Sequence, residues 1–183
     1  MRRALALLGL LALQAGALLP AAHAQREAQE HEVKAAFLYR FVSFIEWPAH
    51  AFHDASAPIA IGVLGAEEVA ASLEQAILGR TAQDRPVVVR RLRAGEPLAG
   101  VHLLMVGRAE RERLAQLAKA AAAQHVVLVG DGDDALDRGA AIGFLIHDGR
   151  VRFQVSIPAA ERSGVRISSR MLAVAHHVQA ASP

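Results

Sequence analysis

The chain has 183 residues, with 20 lysines and arginines, 18 aspartates and glutamates, and no cysteine. A formal net charge of +2 argues against nucleic-acid binding, because that function depends on clustered positive charge. The lack of cysteine excludes disulfides and thiol-based catalysis, so the fold must be stable on its hydrophobic core alone.

The first 24 residues have the pattern of a secretory signal peptide. Two arginines precede an apolar run over 4–19, and Ala22-His23-Ala24 is a small-x-small cleavage site. We expect cleavage before Gln25, which leaves residues 25–183 as a single soluble periplasmic domain. The alternative is an uncleaved membrane anchor, since the apolar run is just long enough to cross a bilayer. The cleavage site favours the first interpretation.

An aromatic-rich amphipathic helix is predicted next. Six of the eight aromatic residues of the chain fall within 37–52. At 100° per residue, the apolar side chains of Glu30–Glu46 fill an arc of about 180°, which is typical of a helix packed on a core. Pro48 disfavours helical geometry at the preceding residue and ends the helix. The opposite face carries Tyr39, Arg40, Ser43 and Glu46.

Helices and strands then alternate along the chain. Short apolar runs, rich in β-branched residues, indicate strands buried on both faces, and amphipathic segments between them indicate helical crossovers. Strands are predicted at Pro58–Leu64, Pro86–Leu92, Val101–Val106 and His125–Val129, and helices at Glu67–Leu78 and Ala109–Gln124.

The pattern becomes antiparallel near the C-terminus. Two strand-like runs, Ala141–His147 and Arg150–Ile157, flank Asp148-Gly149, which favours a type I′ hairpin. A brief strand at Val165–Ile167 and a last helix, capped by Ser168 and reaching about Val178, follow. The predicted fold is α/β: a single-domain sandwich whose mostly parallel sheet ends in an antiparallel hairpin, with helices on both faces.

The histidines and aspartates match no metal-binding motif. His50 and His53, with Asp54 beside them, lie in a predicted loop, and the chain has no H-E-x-x-H pattern. Asp131-Gly-Asp-Asp134 lacks the later glycine and glutamate of an EF-hand loop, so we interpret it as a solvated loop, with weak calcium binding as the alternative. We expect neither a metal nor a cofactor.

Motifs for phosphate binding and nucleophilic catalysis are incomplete. Gly62-Val-Leu-Gly65 stands where a dinucleotide would bind but lacks the third glycine of that motif, so a tight strand-to-helix turn is favoured. The chain has no G-x-S-x-G elbow. A Ser-His-Asp triad assembled from distant positions stays an open alternative, because triads are recognised by their geometry and not by sequence spacing. The sequence favours a protein that is not an enzyme.

Seven segments together resemble the YfiR-like family of exported bacterial proteins. In family order they are Val33–Tyr39 with Phe44–Pro48, Ile59–Gly65, His102–Val106, Val126–Val129, Gly139–Ile142 with Phe144, Gly149–Phe153, and Ala159–Ala160 with Gly164–Leu172. The resemblance extends from about Val33 to Ala175. The chain departs from the family at Ala140, at Gly143 and in Phe153–Ser156, and it lacks the cysteines of some members.

The resemblance implies a regulator rather than a catalyst. The best-known type of this family is a periplasmic protein that binds the periplasmic sensor region of a membrane diguanylate cyclase and holds it inactive, which lowers cyclic di-GMP in the cell. An outer-membrane-associated partner relieves the repression, and family analogy implies a homodimer. No cofactor is implied. The nucleotide product stays on the cytoplasmic side of the membrane, so this chain is not expected to contact it.

The resemblance does not fix which residues meet the partner. Our partner-facing candidates are Tyr39, Arg40, Glu46, Trp47 and Arg152. Trp47 is better explained as a structural residue that locks the first helix onto the sheet, and Arg152 also fits a solvated strand position.

Two other functions stay open from the residues alone. A periplasmic small-ligand-binding module that reports to a membrane sensor or transporter would need an open crevice at the carboxyl ends of the parallel strands. A hydrolase with a dispersed site would need a nucleophile, a base and an anion hole brought together by the fold.

Overall fold

The computed structural model describes residues 25–180; residues 1–24, where the signal peptide is predicted, and residues 181–183 lie outside the described residues. The helices are α1 (25–42), α2 (Glu67–Ala76), α3 (Leu114–Ala122), α4 (Ile157–Arg162) and α5 (Ser169–Leu172), with 3-10 turns at Ala49–Ala51 and Arg108–Arg113. The strands are β1 (Ile45–Glu46), β2 (Ile59–Leu64), β3 (Thr81–Ala82), β4 (Arg85–Leu92), β5 (Leu103–Val106), β6 (Val127–Asp131), β7 (Ile142–His147), β8 (Arg150–Ser156), β9 (Arg166–Ile167) and β10 (His177–Gln179). Within 25–180, no helix has the length and apolar character needed to span a bilayer.

Eight strands form one sheet in the order β10-β8-β7-β6-β5-β2-β4-β3, and β1 pairs separately with β9. Strands β4, β2, β5, β6 and β7 are parallel, whereas β8 is antiparallel to β7. Asp148 and Gly149 have φ angles of 50° and 69°, as a type I′ turn requires. The predicted α/β class, the mostly parallel sheet and the hairpin are confirmed.

Helices cover both faces of the sheet. Successive residues of a strand point to opposite faces, and β5 shows the result: Leu103 and Met105 join the core under α1 and α2, whereas Leu104 and Val106 join the core under α3. Because both faces of β5 are fully buried, the strand is apolar throughout, which is why the sequence signal for it is a continuous apolar run.

Helix α1 crosses the concave face of the sheet. Phe41 packs on Phe144 of β7 and Phe153 of β8, with ring centroids 5.7 and 4.9 Å apart. The adjacent Val42 accepts a hydrogen bond through its carbonyl from the amide of Gln83, which lies between β3 and β4. One end of a single helix therefore contacts strands from both halves of an eight-stranded sheet, so the sheet curls around α1.

The ends of two predicted helices are wrong. Helix α1 stops at residue 42 instead of Glu46, because Gln83 donates to the carbonyls of Val42 and Ile45 at 2.6 and 2.8 Å and satisfies the helix end from outside. The next residues then pair with β9.

The C-terminal helix is also shorter than predicted. It ends at Leu172, and His177–Gln179 forms β10 alongside β8 instead of continuing the helix. The His176 amide donates to the carbonyl of Phe153 at 2.8 Å, at the start of this pairing. An unpaired edge strand leaves a row of exposed backbone groups, and β10 covers that edge of β8.

Truncating Phe41 tests the aromatic cluster that holds α1 on the sheet. Phe41 is 2% exposed and contacts three other phenylalanine rings. We expect Phe41→Ala to lower the free energy of unfolding by about 3–5 kcal/mol, because it removes buried area and leaves a cavity. Urea denaturation followed by circular dichroism measures the loss. Leu78→Ala, at a side chain that is 79% exposed, is the control, and an equal loss in both variants would contradict the role assigned to the cluster.

Candidate functional site

A groove of about 900 Å³ lies between the first half of α1 and the β7–β8 hairpin. Its apolar surface comes from Val33, Phe37, Ile146 and Val151, and its charged surface from Arg26, Glu27, Glu30, Arg150 and Arg152. Val33 and Ile146 are 41% and 40% exposed, so both walls of the groove present apolar surface to solvent. The groove therefore offers an apolar strip between charged groups, the composition of a protein-binding surface.

A buried polar cluster adjoins the groove. Lys34 is 1% exposed, and its Nζ lies 2.7 Å from Oδ2 of Asp131 and 2.5 Å from Oε1 of Glu30. Arg108 completes the cluster, with Nη2 at 3.3 Å from Glu30 and Nε at 3.5 Å from Asp131. Two carboxylates thus share two cations, and Glu30 also lines the groove.

The cluster is electrostatically balanced. Burial raises the pKa of Glu30, but the hydrogen bond from Lys34 and the positive charges of Lys34 and Arg108 outweigh it, so the net shift of this pKa is downward. The carboxylate of Glu30 is therefore held ionised beside Lys34. Oδ1 of Asp131 is buried without a hydrogen-bond partner, and the guanidinium of Arg108 is the charge beside it.

The interpretation of Asp131 as part of a solvated loop is wrong. Asp131 is the last residue of β6 and is 7% exposed. Its buried partner Lys34 was also missed. The signal was present in the sequence: Lys34, Leu38 and Phe41 recur at the i, i+4, i+7 spacing of a buried helix face, and Asp131 directly follows an apolar strand. A lysine in that register needs an acidic partner.

The carboxyl ends of the central parallel strands are closed by glycine packing. The chain order changes direction between β2 and β5, where α/β proteins usually open a ligand crevice. A Cβ on Gly107 would lie 2.1 Å from the carbonyl oxygen of Gly65, and a Cβ on Gly65 would lie 2.6 Å from Cγ of Glu110. The two loops are therefore in backbone contact, and Gly65 serves as the predicted tight strand-to-helix turn before α2.

The side chain of Trp47 packs against two neighbouring rings, those of Phe52 and His102. Its indole Nε1 donates to the carbonyl of His102 at 3.3 Å, and its ring makes edge contacts with Phe52 and His102 at 6.4 and 6.1 Å. It is half-buried. These contacts support the structural role, in which Trp47 fixes the segment between α1 and β2 on the sheet.

The other candidate residues are not brought together. Tyr39 is half-buried and donates to the carbonyl of Thr81 at 3.0 Å, on the β3 edge, while Arg40 is exposed. Glu46 is exposed and accepts from Arg166 of β9 at 2.9 Å. Arg152 is exposed on β8 and lines the groove. Of the five candidates, Arg152 alone lies among the residues that line the groove.

The structure also tests the predictions made for the histidines and for Ser168. Within residues 25–180, no group of three or more histidine, cysteine, aspartate and glutamate side chains converges on one point. Ser168 stands at the N-cap of α5, but its hydroxyl makes no capping bond and is buried without a partner. The predicted capping role of that side chain is therefore wrong.

A double-mutant cycle tests the buried ion pair. Lys34→Met leaves Asp131 buried without its partner, and we expect a loss of about 3–5 kcal/mol in the free energy of unfolding. Combining it with Asp131→Leu should recover much of this loss, because an apolar pair needs no charge compensation. Urea denaturation measures Lys34→Met, Asp131→Leu and the double variant. Arg91→Met, which removes exposed pairs with Glu67 and Glu74, should cost about 1 kcal/mol; equal costs for Lys34→Met and Arg91→Met would refute the assignment.

The pH dependence of stability tests His102. Its Nδ1 accepts from the amide of Ala60 at 3.1 Å, and its pKa is lowered from 6.5 by burial and then by the charge of Arg85, against a raising hydrogen bond to Ala51. The unfolded chain therefore binds the proton first as pH falls, so this contribution to stability is full above about pH 6.5 and declines below it.

Urea denaturation at pH 7.5 and 5.5 measures how much the free energy of unfolding changes between the two pH values. The unchanged protein should lose more stability on acidification than His102→Gln, because this imidazole is the one difference between the two proteins. Identical losses in the two proteins would show that His102 is not the group responsible.

Comparison with known proteins places the chain in a family. No curated protein matches it. Two solved structures show limited likeness: a conserved domain protein from Vibrio cholerae O1 biovar El Tor (14% identity, TM-score 0.48) and the ABC domain in complex with L-Trp from Streptococcus pneumonia (12% identity, TM-score 0.49). Each alignment covers 66% of this chain, which spans only 54% and 55% of those chains. The model of the YfiR/HmsC-like family matches residues 31–176, and the chain therefore belongs to the YfiR/HmsC-like family.

Proposed function

We propose that this protein is a periplasmic regulator that binds the periplasmic sensor region of a membrane diguanylate cyclase and represses it, which lowers cyclic di-GMP. The observation that carries this proposal is family membership over residues 31–176. The proposal includes export by a signal peptide over 1–24, cleaved before Gln25, and a regulatory domain over 25–183 without enzymatic activity. Relief by an outer-membrane-associated partner and formation of a homodimer belong to the same proposal.

The groove between α1 and the β7–β8 hairpin is the proposed contact surface for the cyclase. It combines exposed apolar side chains, Val33 and Ile146, with the guanidinium groups of Arg150 and Arg152. Arginine beside apolar contacts is characteristic of interface hot spots. The complementary partner surface would present an apolar side chain flanked by carboxylates. Arg152 is thus the first of the candidate residues to test, and Tyr39, Arg40, Glu46 and Trp47 follow.

Repression in this proposal is a shift of populations in the cyclase. A repressor can move its target toward the inactive conformation only by the difference in its affinity for the two conformations. A preformed groove supports such discrimination, because one wall is a helix held by buried contacts and the other a tight hairpin. Little conformational entropy is then lost on binding.

Binding to the purified periplasmic region of the cyclase tests both the function and the surface. We expect Arg152→Glu to weaken the complex at least tenfold in isothermal titration calorimetry, because it places a carboxylate opposite an acidic partner surface. Arg93→Glu is the matched control: the same charge reversal at an exposed arginine just after β4, which should leave affinity unchanged. Equal effects of the two changes on affinity would show that the interface does not lie at the groove.

Deletion of the gene tests the function independently of the surface. In a strain with an intact cyclase, we expect cyclic di-GMP and surface attachment to rise, and re-expression of the unchanged protein to reverse both. Unchanged cyclic di-GMP would overturn the proposed repression. In that case a thermal-shift screen with small periplasmic metabolites would test the ligand-binding alternative.

A further inference from the structure

Two imidazoles outside the groove face each other across the fold. His50 lies in the 3-10 turn Ala49–Ala51 and is exposed, whereas His125 is half-buried just ahead of β6. Their Nε2 atoms are 3.0 Å apart, and the rings are T-shaped with centroids 4.6 Å apart and an interplanar angle of 76°. The two residues are 75 positions apart in sequence, so the fold alone creates this pair.

The hydrogen bonds of His125 define which of its nitrogens is available. Its Nδ1 lies 3.0 Å from the carbonyl oxygen of Ser163. A carbonyl oxygen only accepts, so Nδ1 carries the proton and Nε2 of the neutral ring presents a lone pair toward His50. A histidine that binds a metal through one nitrogen and donates from the other to a backbone carbonyl has this same arrangement.

The backbone fixes where the ring of His125 lies. His125 has a φ of 58°, the left-handed conformation that commonly closes a helix, and the next amide, Val126, donates to the carbonyl of Ala121 in α3 at 3.0 Å. Gly164 faces the ring: a Cβ at that position would lie 2.9 Å from Nδ1 of His125. The ring thus occupies space that a side chain at position 164 would take.

We propose that His50 and His125 bind a divalent transition-metal ion through their Nε2 atoms, with Cu²⁺ bound most tightly and Zn²⁺ less tightly. Imidazole coordinates both ions, and among divalent first-row metals the affinity of a given site is generally highest for Cu²⁺. Two nitrogens at 2.0–2.1 Å from a tetrahedral Zn²⁺ are about 3.3 Å apart, so a small shift of the exposed His50 is sufficient. His50 would release its Nε2 proton or move it to the other ring nitrogen.

The coordination would be open. Within residues 25–180, no third histidine, cysteine, aspartate or glutamate joins the pair, so water or an external ligand would fill the remaining positions. The expectation of no metal was based on the lack of a metal-binding motif in the sequence, where His50 has only His53 nearby, three residues away. His53 instead lies beside Asp54 with its side chain 95% exposed, and the pairing of His50 is with a residue that the sequence does not place nearby.

Metal titration of the purified protein, made without a histidine tag, tests the proposal. We expect one Cu²⁺ per chain in isothermal titration calorimetry, and electron paramagnetic resonance should show two coordinating imidazole nitrogens. His50→Gln and His125→Asn should each weaken binding at least tenfold. His53→Gln is the matched control in the same loop and should bind as the unchanged protein does.

Two outcomes would overturn the site. One is the lack of saturable Cu²⁺ binding, and the other is binding that neither His50→Gln nor His125→Asn weakens. Asparagine tolerates the left-handed backbone at position 125, and thermal melts by circular dichroism establish that both variants are folded. In the unchanged protein, Zn²⁺ should raise the melting temperature, because an ion that binds only the folded state stabilises it, and His50→Gln should abolish that rise.

Discussion

The ion pair between Lys34 and Asp131 fixes where α1 lies on the sheet, and the groove depends on that position. Both side chains are buried and their charged atoms are 2.7 Å apart. Removing two charges from water costs several kcal/mol each, and the attraction between them offsets that cost only when they meet in good geometry. A helix shifted along the sheet would bury both charges without partners. The pair therefore disfavours any register of α1 in which Lys34 and Asp131 would not meet.

This register determines which surface the protein leaves open. In many α/β folds, ligands enter at the carboxyl ends of the strands where the chain order reverses. Here that edge is occupied: Gly65 and Gly107 are in backbone contact, Glu110 covers Gly65, and the Lys34–Asp131 pair lies at the end of β6. The groove of about 900 Å³ lies instead beside the β7–β8 hairpin, and this position supports the proposed recognition of a protein partner.

Local signals predicted most of the fold. The strand β2, the turn at Asp148-Gly149 and the start of α2 at Glu67 lie where short apolar runs, turn residues and amphipathic spacing indicate them. The predictions that were wrong depend on contacts between residues that are far apart in sequence. Gln83 ends α1 from 41 positions away, and β8 recruits residues 177–179 into the sheet.

The site was predicted less well than the fold for the same reason. Arg152 was named as a candidate because it lies on the predicted hairpin, but the groove that it lines forms only when α1 packs beside that hairpin. Lys34 and Asp131 are 97 positions apart, and no spacing rule connects them. A lysine on an apolar helix face indicates that a buried partner is needed, but it does not indicate where in the chain that partner lies.

Glu30 connects the buried ion pair to the groove. One of its oxygens accepts from Lys34 and lies near Arg108, and the same side chain lines the groove. A cation from a partner that approached Glu30 would compete with Lys34 and Arg108 for the carboxylate and weaken the cluster that positions α1. A partner carboxylate would instead pair with Arg26, Arg150 or Arg152 and leave the cluster intact. In the proposed complex the groove would therefore discriminate by charge: an acidic partner surface would leave α1 in place, whereas a basic one would loosen that helix.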